Sequence, residues 1–402
     1  MKPPPMLSLS MIVRNEALRL ERCLTSVAGF VDEMVLLDTG STDDTVAIAK
    51  RCGAVVHSMP WPGDFAPARN EALRRVGGDW VLVLDADEQL LESAHAPLRE
   101  WMRQPDVLLV NLLRFERGAR QSPYSSVSRL FRRHPALHWS RAYHSQIDDS
   151  VLALIQQEPG WRIVDCAEPA LVHDGYTPEL LATGDKAHRL RRAMEQELAR
   201  DPHDPYACAK LGSLEVSEGH RDRGIALLQR GLQHCPATAV PERYELLLHL
   251  GLALAPRHPQ QAAGLYRQAL DLGLPARVSL GARLNLAALL CDSGQLVEAA
   301  ALCRGAIQAA PEVGLAWYNL GLIERRQGQL PGAITAYRQA LGLDPGHAEA
   351  HQNLAVALLM SGDIVGARAG FRQAIGLLQQ QGRTAEAEDL RRRAASLVKL
   401  ED

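Results

Sequence analysis

The second half of the chain repeats itself every 34 residues, and this period limits the possible fold more than any other feature. Asn285, Asn319 and Asn353 are spaced by this step. Three glycines and three alanines keep the same spacing, at Gly294, Gly328 and Gly362 and at Ala306, Ala340 and Ala374. A unit of this length holds two helices whose apolar faces are buried only against neighbouring units, so successive units must stack. The sequence therefore predicts an all-α solenoid over residues 205–402.

The pattern within each unit resembles a tetratricopeptide repeat. A small residue lies in the first helix, a glycine at the turn, an alanine in the second helix and a proline after it, as at Pro311 and Pro345. About five units fit, and a capping helix is predicted over 384–400. The resemblance implies a groove for a peptide or a protein helix, with a spacer or dimerisation arm as the alternative. The recurring asparagines are candidates either for holding a peptide backbone or for hydrogen bonding within the array.

A short apolar strand in the first half of the chain ends in two carboxylates. Residues 81–84 are apolar without interruption, as in a strand buried on both faces, and Asp85 and Asp87 follow two positions apart. Two hard oxygen ligands at the tip of a parallel strand suit Mg²⁺ or Mn²⁺, which keeps coordination places for substrate phosphates. The alternative is a simple acidic turn, since Asp is common in turns.

Predicted strands and helices alternate before this carboxylate pair. Strands are predicted at 7–13, 34–37 and 54–56, with helices up to about residue 27 and over 66–76. This order is typical of a parallel sheet with helices on its faces. Asp38 ends the second strand, and Gly40 permits a tight turn after it. A carboxylate there is suited to accept a hydrogen bond from a nucleobase or from a ribose hydroxyl.

Residues 12–16, 37–43, 64–70 and 84–88 resemble the nucleotide-sugar half of a family-2 glycosyltransferase with the GT-A fold. This fold is α/β and Rossmann-like, with a mostly parallel sheet. The resemblance implies that Asp85 and Asp87 hold a divalent metal on the donor diphosphate and that Asp38 contacts the nucleoside. It places Arg69 and Asn70 in the donor pocket, with a helix-surface cation as the alternative for Arg69. The other implied donor-binding residues are Val13, Arg14, Asn15, Glu16, Gly40 and Ala86.

The resemblance continues to about residue 180, into the acceptor half of bacterial members that carry helical repeats. It rests on residues 128–133, 143–147 and 171–176. Such members often have a glutamate after the histidine, whereas Ser145 follows the catalytic candidate His144 here. If that glutamate is the general base, the remaining candidates are Glu88, Asp148 and Asp149. His173 is a candidate third metal ligand, since imidazole binds ions such as Mn²⁺, and the alternative is a structural histidine at a strand end.

One helix is predicted between the two halves, from about residue 178 to 200. It divides the chain into a transferase domain (1–178), a linker (179–204) and the repeats (205–402). Lys186 and Arg189 occupy places where family members carry a lysine and an arginine, so they are candidates for reaching the donor diphosphate. The alternative is a solvated basic face.

Composition excludes several classes of protein. A net charge of −3 gives no reason to propose nucleic acid, and the sequence has no P-loop and no G-x-G-x-x-G. No apolar run reaches the roughly 18 residues of a membrane span, and we expect no signal peptide. The seven cysteines show no metal-binding spacing, which favours free thiols in a reducing cytoplasm. Basic residues cluster between 114 and 141, where they are suited to donor phosphates or to an anionic acceptor.

These patterns together predict a cytoplasmic, bacterial-type, metal-dependent glycosyltransferase of the hexosyltransferase class. In-line attack on a nucleotide sugar, most simply a UDP-sugar, implies inversion, and the predicted acceptor is a peptide or protein held by the repeats. One alternative acceptor is a surface polysaccharide or a lipid-linked glycan. A second alternative is a catalytically inactive scaffold that binds proteins through its repeats.

Overall fold

The computed structural model describes residues 5–119, 123–141, 145–174 and 185–399 of the chain. The chain divides into two compact units, residues 1–202 and 203–402. All the described strands lie in the first unit, and the described secondary structure of the second is helical. The helix that we predicted as a separate linker, observed at Asp185–Arg200, belongs to the first unit.

The first unit begins with the predicted alternation of strands and helices and continues with a second group of strands. Its elements are β1 (Leu7–Val13), α1 (Leu20–Val27), β2 (Glu33–Asp38), α2 (Thr45–Arg51), β3 (Val55–Ser58), α3 (Phe65–Arg75), β4 (Trp80–Val83), β5 (Glu88–Leu90), α4 (His95–Arg103), β6 (Val107–Glu116), β7 (Tyr124–Arg132), α5 (Asp148–Gln157), β8 (Arg162–His173) and α6 (Asp185–Arg200). A short 3₁₀ turn, Glu92–Ala94, precedes α4.

The strands form one mixed sheet in the order β3-β2-β1-β4-β7-β6-β8-β5. The first four are parallel to one another, which confirms the parallel half that the sequence predicted. From β4 onward the pairing becomes mixed, with β7 antiparallel to both β4 and β6 and with β8 parallel to β6. All four residues of β4 are buried, as expected for an uninterrupted apolar strand in the middle of a sheet.

Within its described residues, 203–399, the second unit contains five consecutive helix pairs, one for each repeat, followed by a single helix. The helices are α7 (Pro205–Ser217), α8 (Arg221–His234), α9 (Val240–Leu254), α10 (Pro259–Asp271), α11 (Leu280–Asp292), α12 (Leu296–Ala309), α13 (Gly314–Arg326), α14 (Leu330–Leu343), α15 (Ala348–Met360), α16 (Ile364–Gln380) and α17 (Thr384–Ala395). The last helix buries Ala387, Leu390 and Ala394 and exposes its charged residues, as predicted for a cap.

Small residues allow the two helices of a repeat to pack closely. A Cβ added at Gly321 on α13 would lie 2.7 Å from the ring of Tyr337 on α14, and one added at Gly251 on α9 would lie 2.5 Å from the ring of Tyr266 on α10. Both tyrosine side chains are fully buried. In these two repeats the small residue of the first helix therefore allows close contact with an aromatic ring of the second helix.

Replacing Gly321 with alanine is expected to destabilise the repeats by about 1–3 kcal/mol, because the added methyl group overpacks a filled site. The matched control is Gly264→Ala on α10, where an added Cβ meets nothing within 4 Å. Alanine is a better helix former than glycine, so the control should be neutral or stabilising by up to about 1 kcal/mol. Urea denaturation followed by circular dichroism measures both effects, and equal stability of the two variants would contradict this packing argument.

Two further properties concern the described residues as a whole. None of the described helices combines the length and the apolar character that a membrane crossing requires. All seven cysteines lie in the described residues and are free thiols, and six of them are buried.

Candidate active site

The sheet has a topological switch point between β1 and β4. From β1 the chain proceeds to β2 and β3 on one side, whereas β4 pairs with the other side of β1. A crevice opens at the carboxyl ends of parallel strands at such a point, and ligands of α/β proteins bind there. Three predicted site residues follow these strand ends: Asn15 after β1, Asp38 at the end of β2 and Asp85 after β4.

The loops after β1 and β2 are fastened to each other by hydrogen bonds. The Asp38 carboxylate accepts from the backbone N–H groups of Gly40 and Ser41 at 3.2 Å, and Gly40 has a φ of +102°. Asn15 also has a positive φ, its backbone N–H donates to Ser41 Oγ, and its Oδ1 accepts from the N–H of Thr42 at 2.8 Å. The structure therefore brings Asn15, Asp38 and Gly40 together, and their contact with a donor stays a prediction.

The remaining candidates of the first loop have different environments. Val13 is buried at the end of β1 and is paired with Asp38 of β2, so it lies in the sheet where the two loops begin. Arg14 is exposed. Glu16 accepts from the guanidinium of Arg19 at 2.6 Å, and burial raises the pKa of Glu16 above its ordinary value despite that cation.

Two arginines hold the carboxylate of Asp85. Arg69 Nη2 donates to Asp85 Oδ1 at 2.7 Å, and Arg129 Nη2 donates to Asp85 Oδ2 at 2.5 Å. Burial alone would raise the pKa of Asp85, but Arg129 and Arg69 outweigh it and hold that pKa well below its usual range. Both oxygens of Asp85 are thus engaged by guanidinium groups.

Arg69 and Asn70 come from α3, which begins where Asp64 accepts the N–H of Ala66. The Arg69 guanidinium lies 4.9 Å from the ring centroid of Trp139, and its buried Nε and Nη1 have no hydrogen-bond partner among the described residues. Asn70 donates to the carbonyl of Trp139 at 2.9 Å and accepts its N–H at 2.7 Å. Arg69 is therefore a buried cation rather than a surface one, and Asn70 acts on the site by fixing Trp139.

Asp87 lies beside a different set of partners. Its Oδ2 is 3.3 Å from His173 Nε2 and 3.7 Å from Arg19 Nη1. The other ring nitrogen of His173, Nδ1, is 2.6 Å from Oε2 of Glu116. Burial lowers the pKa of His173, but hydrogen bonds to Asp87 and Glu116 outweigh it and raise that pKa to about 9.

The predicted metal set of Asp85, Asp87 and His173 is not gathered at one point. Among the described residues, no group of three or more His, Cys, Asp or Glu side chains has the arrangement of a metal site. The Asp87–His173 pair fits a divalent cation better than a set that includes Asp85, because a carboxylate and an imidazole nitrogen already face each other. A cation bound there would displace the proton that His173 carries on Nε2 at neutral pH. Glu116 holds Nδ1 from behind, as carboxylates commonly do for metal-binding histidines. Asp85 differs from the prediction because arginines take both of its oxygens.

The turn that carries Asp85 and Asp87 is held by buried residues. Ala86 is buried, and Glu88 has no exposed surface. Glu88 Oε2 accepts the backbone N–H of Asp85 at 2.9 Å, while its Oε1 accepts from Arg114 Nη1 at 2.6 Å. Glu88 is thus placed to hold the turn rather than to meet an acceptor.

The other two base candidates lie at the start of α5. Asp148 Oδ1 accepts from the hydroxyl of Ser128 at 2.5 Å, and burial raises the pKa of Asp148. Asp149 is more exposed, accepts from Ser140 at 2.6 Å and lies 3.6 Å from Arg141 Nε. His144 and the side chains of Lys186 and Arg189 lie outside the described residues, so those three predictions stay predictions.

The sequence did not indicate two residues of this site, Glu116 and Trp139, and it indicated Arg114 and Arg129 only as members of a basic cluster. The cluster of basic residues between 114 and 141 contained a signal, because Arg114 and Arg129 belong to it. Both are buried ion-pair partners of site carboxylates, whereas we expected contacts to phosphates or to an anionic acceptor. Arg114 and Glu116 are also two positions apart at the end of β6, and this spacing was the other signal in the sequence that their charged side chains share a face and pair.

Comparisons with known proteins identify the family of each half of the chain. The Glycosyl transferase family 2 model matches residues 8–160, and two tetratricopeptide repeat models match residues 252–314 and 321–362. A TPR repeat-containing protein of Synechococcus elongatus is 46% identical over 306 residues, which cover 76% of this chain and 75% of that protein. Residues 8–160 form a domain of glycosyltransferase family 2, and tetratricopeptide repeats follow it. The predicted family and fold class are confirmed, and so is the prediction that the enzyme is a glycosyltransferase.

Other relatives of this family-2 glycosyltransferase carry the name of the activity. An uncharacterized glycosyltransferase of Rickettsia conorii is 30% identical over 44% of the chain, and glycosyltransferase SunS of Bacillus subtilis is 26% identical over 50%. The chain spans 65% and 47% of the lengths of these two relatives.

Solved structures resemble about half of the chain. MamA 41-end from Desulfovibrio magneticus RS-1 is 24% identical, with a TM-score of 0.38, and covers 49% of this chain and 98% of its own. YrrB, a TPR protein, is 17% identical, with a TM-score of 0.39, and covers 50% of this chain and 99% of its own.

Proposed function

We propose that this glycosyltransferase is a metal-dependent inverting enzyme that moves a sugar from a nucleotide-sugar donor, most simply a UDP-sugar, to a peptide or protein acceptor. The observation that carries the proposal is the Asp87–His173 pair, backed by Glu116, at the same sheet edge as Asp38. A carboxylate for the nucleoside and a cation-binding pair for the diphosphate are what such a donor requires. The free thiols favour a cytoplasmic location.

The residues of the donor site have separate tasks in this proposal. Asp38, held by the backbone N–H groups of its own turn, accepts hydrogen bonds from the nucleoside. Asp87 and His173 hold Mn²⁺ or Mg²⁺, which neutralises the charge of the leaving diphosphate when it is bound. Arg69 supports this role because two of its buried donor groups have no partner among the described residues. Buried N–H groups of that kind gain a partner when a phosphate oxygen arrives.

Asp148 is the base that the geometry favours among the three candidates. Burial raises its pKa toward the range in which a carboxylate takes a proton efficiently at neutral pH. Its hydrogen-bond partner Ser128 lies on β7, the strand that also carries Arg129, whose guanidinium contacts Asp85. The acceptor attacks the anomeric carbon from the face opposite the diphosphate while Asp148 accepts its proton, which inverts the configuration.

The repeats are proposed to hold the acceptor, and the structure changes one detail of that expectation. Asn285 donates to the carbonyl of Gly281 at 2.7 Å, and Asn353 donates to the hydroxyl of Tyr318 at 3.1 Å. These two amide groups therefore use donor capacity within the solenoid, which was the alternative interpretation. The proposed contact to a peptide rests on the repeat architecture rather than on the asparagine series.

Thermal melting against UDP-, GDP- and dTDP-sugars, with Mn²⁺ and without it, tests the donor site. A ligand that binds only the folded state stabilises it by about 2.7 kcal/mol at a hundredfold excess over its dissociation constant. We expect a shift with one nucleotide class, present with Mn²⁺ and lost when EDTA is added. A chain that melts at the same temperature with every donor would favour the inactive scaffold instead.

Removing residues 203–402 tests the role of the repeats. The remaining unit is expected to keep metal-dependent donor binding, while transfer to a protein acceptor falls about 100-fold or more, because tethering raises the effective acceptor concentration. Circular dichroism of the shortened chain provides the control for folding. Undiminished transfer would reduce the repeats to a spacer, and transfer by the full chain to a lipid-linked glycan alone would favour the polysaccharide alternative.

A further inference from the structure

Seven ionisable side chains, alternately acidic and basic, form a continuous chain that begins at Asp85 and ends at Asp87 of the same turn. This charge chain consists of Asp85, Arg129, Glu88, Arg114, Glu116, His173 and Asp87. Its successive contacts measure between 2.5 and 3.5 Å. We propose that Glu116 is a positioning residue, which orients His173 for the cation, and that the charge chain ties this orientation to the turn at Asp85. This inference rests on the proposed function.

Strand register explains why these residues meet. Glu88 on β5 pairs with His173 on β8, and Glu116 on β6 pairs with the same histidine from the other side. Directly paired residues have their side chains on the same face, about 5 Å apart, so the three form a row across the sheet. Arg114 lies two positions before Glu116 on the same face, between the carboxylates of Glu88 and Glu116.

A β-bulge adds Arg129 to the charge chain. Val110 pairs with Leu130 and Asn111 pairs with Ser128, so Arg129 is the extra residue of β7 and opposes no residue of β6. Bulges of this kind redirect a side chain and are frequent beside active sites. Because Leu82 of β4 pairs with Leu130, Arg129 lies next to the carboxyl end of β4, where it reaches both Asp85 and Glu88.

The energetics favour a positioning role over a stabilising one. Glu88 is fully buried, the Glu116 side chain is 5% exposed and the Arg129 side chain is 11% exposed, so these charges have been removed from water. Apolar residues of similar volume would often stabilise a protein as well as a buried ion-pair network does. What a network supplies in addition is the fixed direction of each hydrogen bond. Here the fixed direction is that of His173, whose Nε2 faces Asp87 because Nδ1 is held by Glu116.

Mn²⁺ affinity of the full-length chain, without donor, tests this role. Electron paramagnetic resonance of free Mn²⁺ gives the dissociation constant of the wild type, Glu116→Ala, Glu116→Gln and the control Asp106→Asn. Asp106 precedes the same strand at its other end and pairs with Arg162 at 2.6 Å. Loss of such a supporting carboxylate commonly weakens metal binding 10- to 100-fold, so we expect that loss in Glu116→Ala. Glu116→Gln keeps an acceptor and should recover part of it, and Asp106→Asn should match the wild type.

Three outcomes would overturn the inference. Wild-type Mn²⁺ affinity in a folded Glu116→Ala chain would show that His173 needs no support from Glu116. If Glu116→Ala does not fold, wild-type affinity in the nearly isosteric Glu116→Gln would show the same. Absence of Mn²⁺ binding in the wild type would instead overturn the metal dependence proposed above, and this inference with it. A purely structural role would lower the melting temperature of the variants without changing the Mn²⁺ affinity of the folded chain.

Discussion

Replacing Asp87 with asparagine is expected to abolish Mn²⁺-dependent donor binding and to reduce sugar transfer about 1000-fold or more. The substitution removes the carboxylate that faces His173 Nε2 and so one of the two proposed ligands of the cation. A metal that neutralises a leaving diphosphate contributes several kcal/mol to the transition state, and each 1.36 kcal/mol corresponds to a factor of ten in rate. Melting with and without Mn²⁺, together with the rate of sugar transfer, measures both losses.

The fold should survive this substitution. The Asp87 side chain is 22% exposed, and asparagine preserves its shape. The matched control is Asp165→Asn on β8, the strand that also carries His173, because Asp165 is exposed and accepts only from the amide of Asn111 in the described contacts. We expect wild-type transfer from that control. Equal Mn²⁺ affinity in Asp87→Asn and the wild type would remove Asp87 from the metal site.

The parts of the fold that the sequence predicts are those encoded within short segments. The apolar run of β4 and the glycine after Asp38 each depend on a few neighbouring residues, and both are found where we expected them. The 34-residue period likewise predicts the solenoid, because contacts such as that between Gly321 and Tyr337 form between the two helices of one repeat. Local signals of this kind were sufficient for the family and for the fold class.

The partners of the site carboxylates were not predictable in the same way. Glu116 and His173 are 57 positions apart, and they meet only because β6 and β8 pair in one particular register. Arg129 reaches Asp85 through a bulge, whose position no local pattern revealed. The motif presented Asp85 and Asp87 as equivalent metal ligands. Their long-range partners make them different: arginines surround the first, and a histidine faces the second.

Replacing Asp85 with asparagine should therefore act on stability rather than on metal binding alone. The substitution removes the charge that the buried guanidinium groups of Arg69 and Arg129 share, and Arg129 keeps only Glu88 at 3.5 Å. Breaking a fully buried ion pair from one side costs about 3–5 kcal/mol. The cost here should be about 1–3 kcal/mol, because the Asp85 side chain is 37% exposed and water screens part of its charge. We expect a loss of this size in the unfolding free energy of the first unit, and a much smaller one in Asp87→Asn.

Urea denaturation followed by tryptophan fluorescence measures this loss, since Trp61, Trp80, Trp101, Trp139 and Trp161 lie in the first unit and only Trp317 in the second. The matched test is the double variant Asp85→Asn with Arg69→Met. It also removes one of the two guanidinium charges that have lost the Asp85 carboxylate, so it should recover part of the stability. The two effects must be non-additive, because the residues are in contact. If Asp85→Asn instead retains full stability and loses only Mn²⁺ affinity, Asp85 is a metal ligand as the motif first suggested. The ion pairs that Arg69 and Arg129 form with it then contribute nothing to stability.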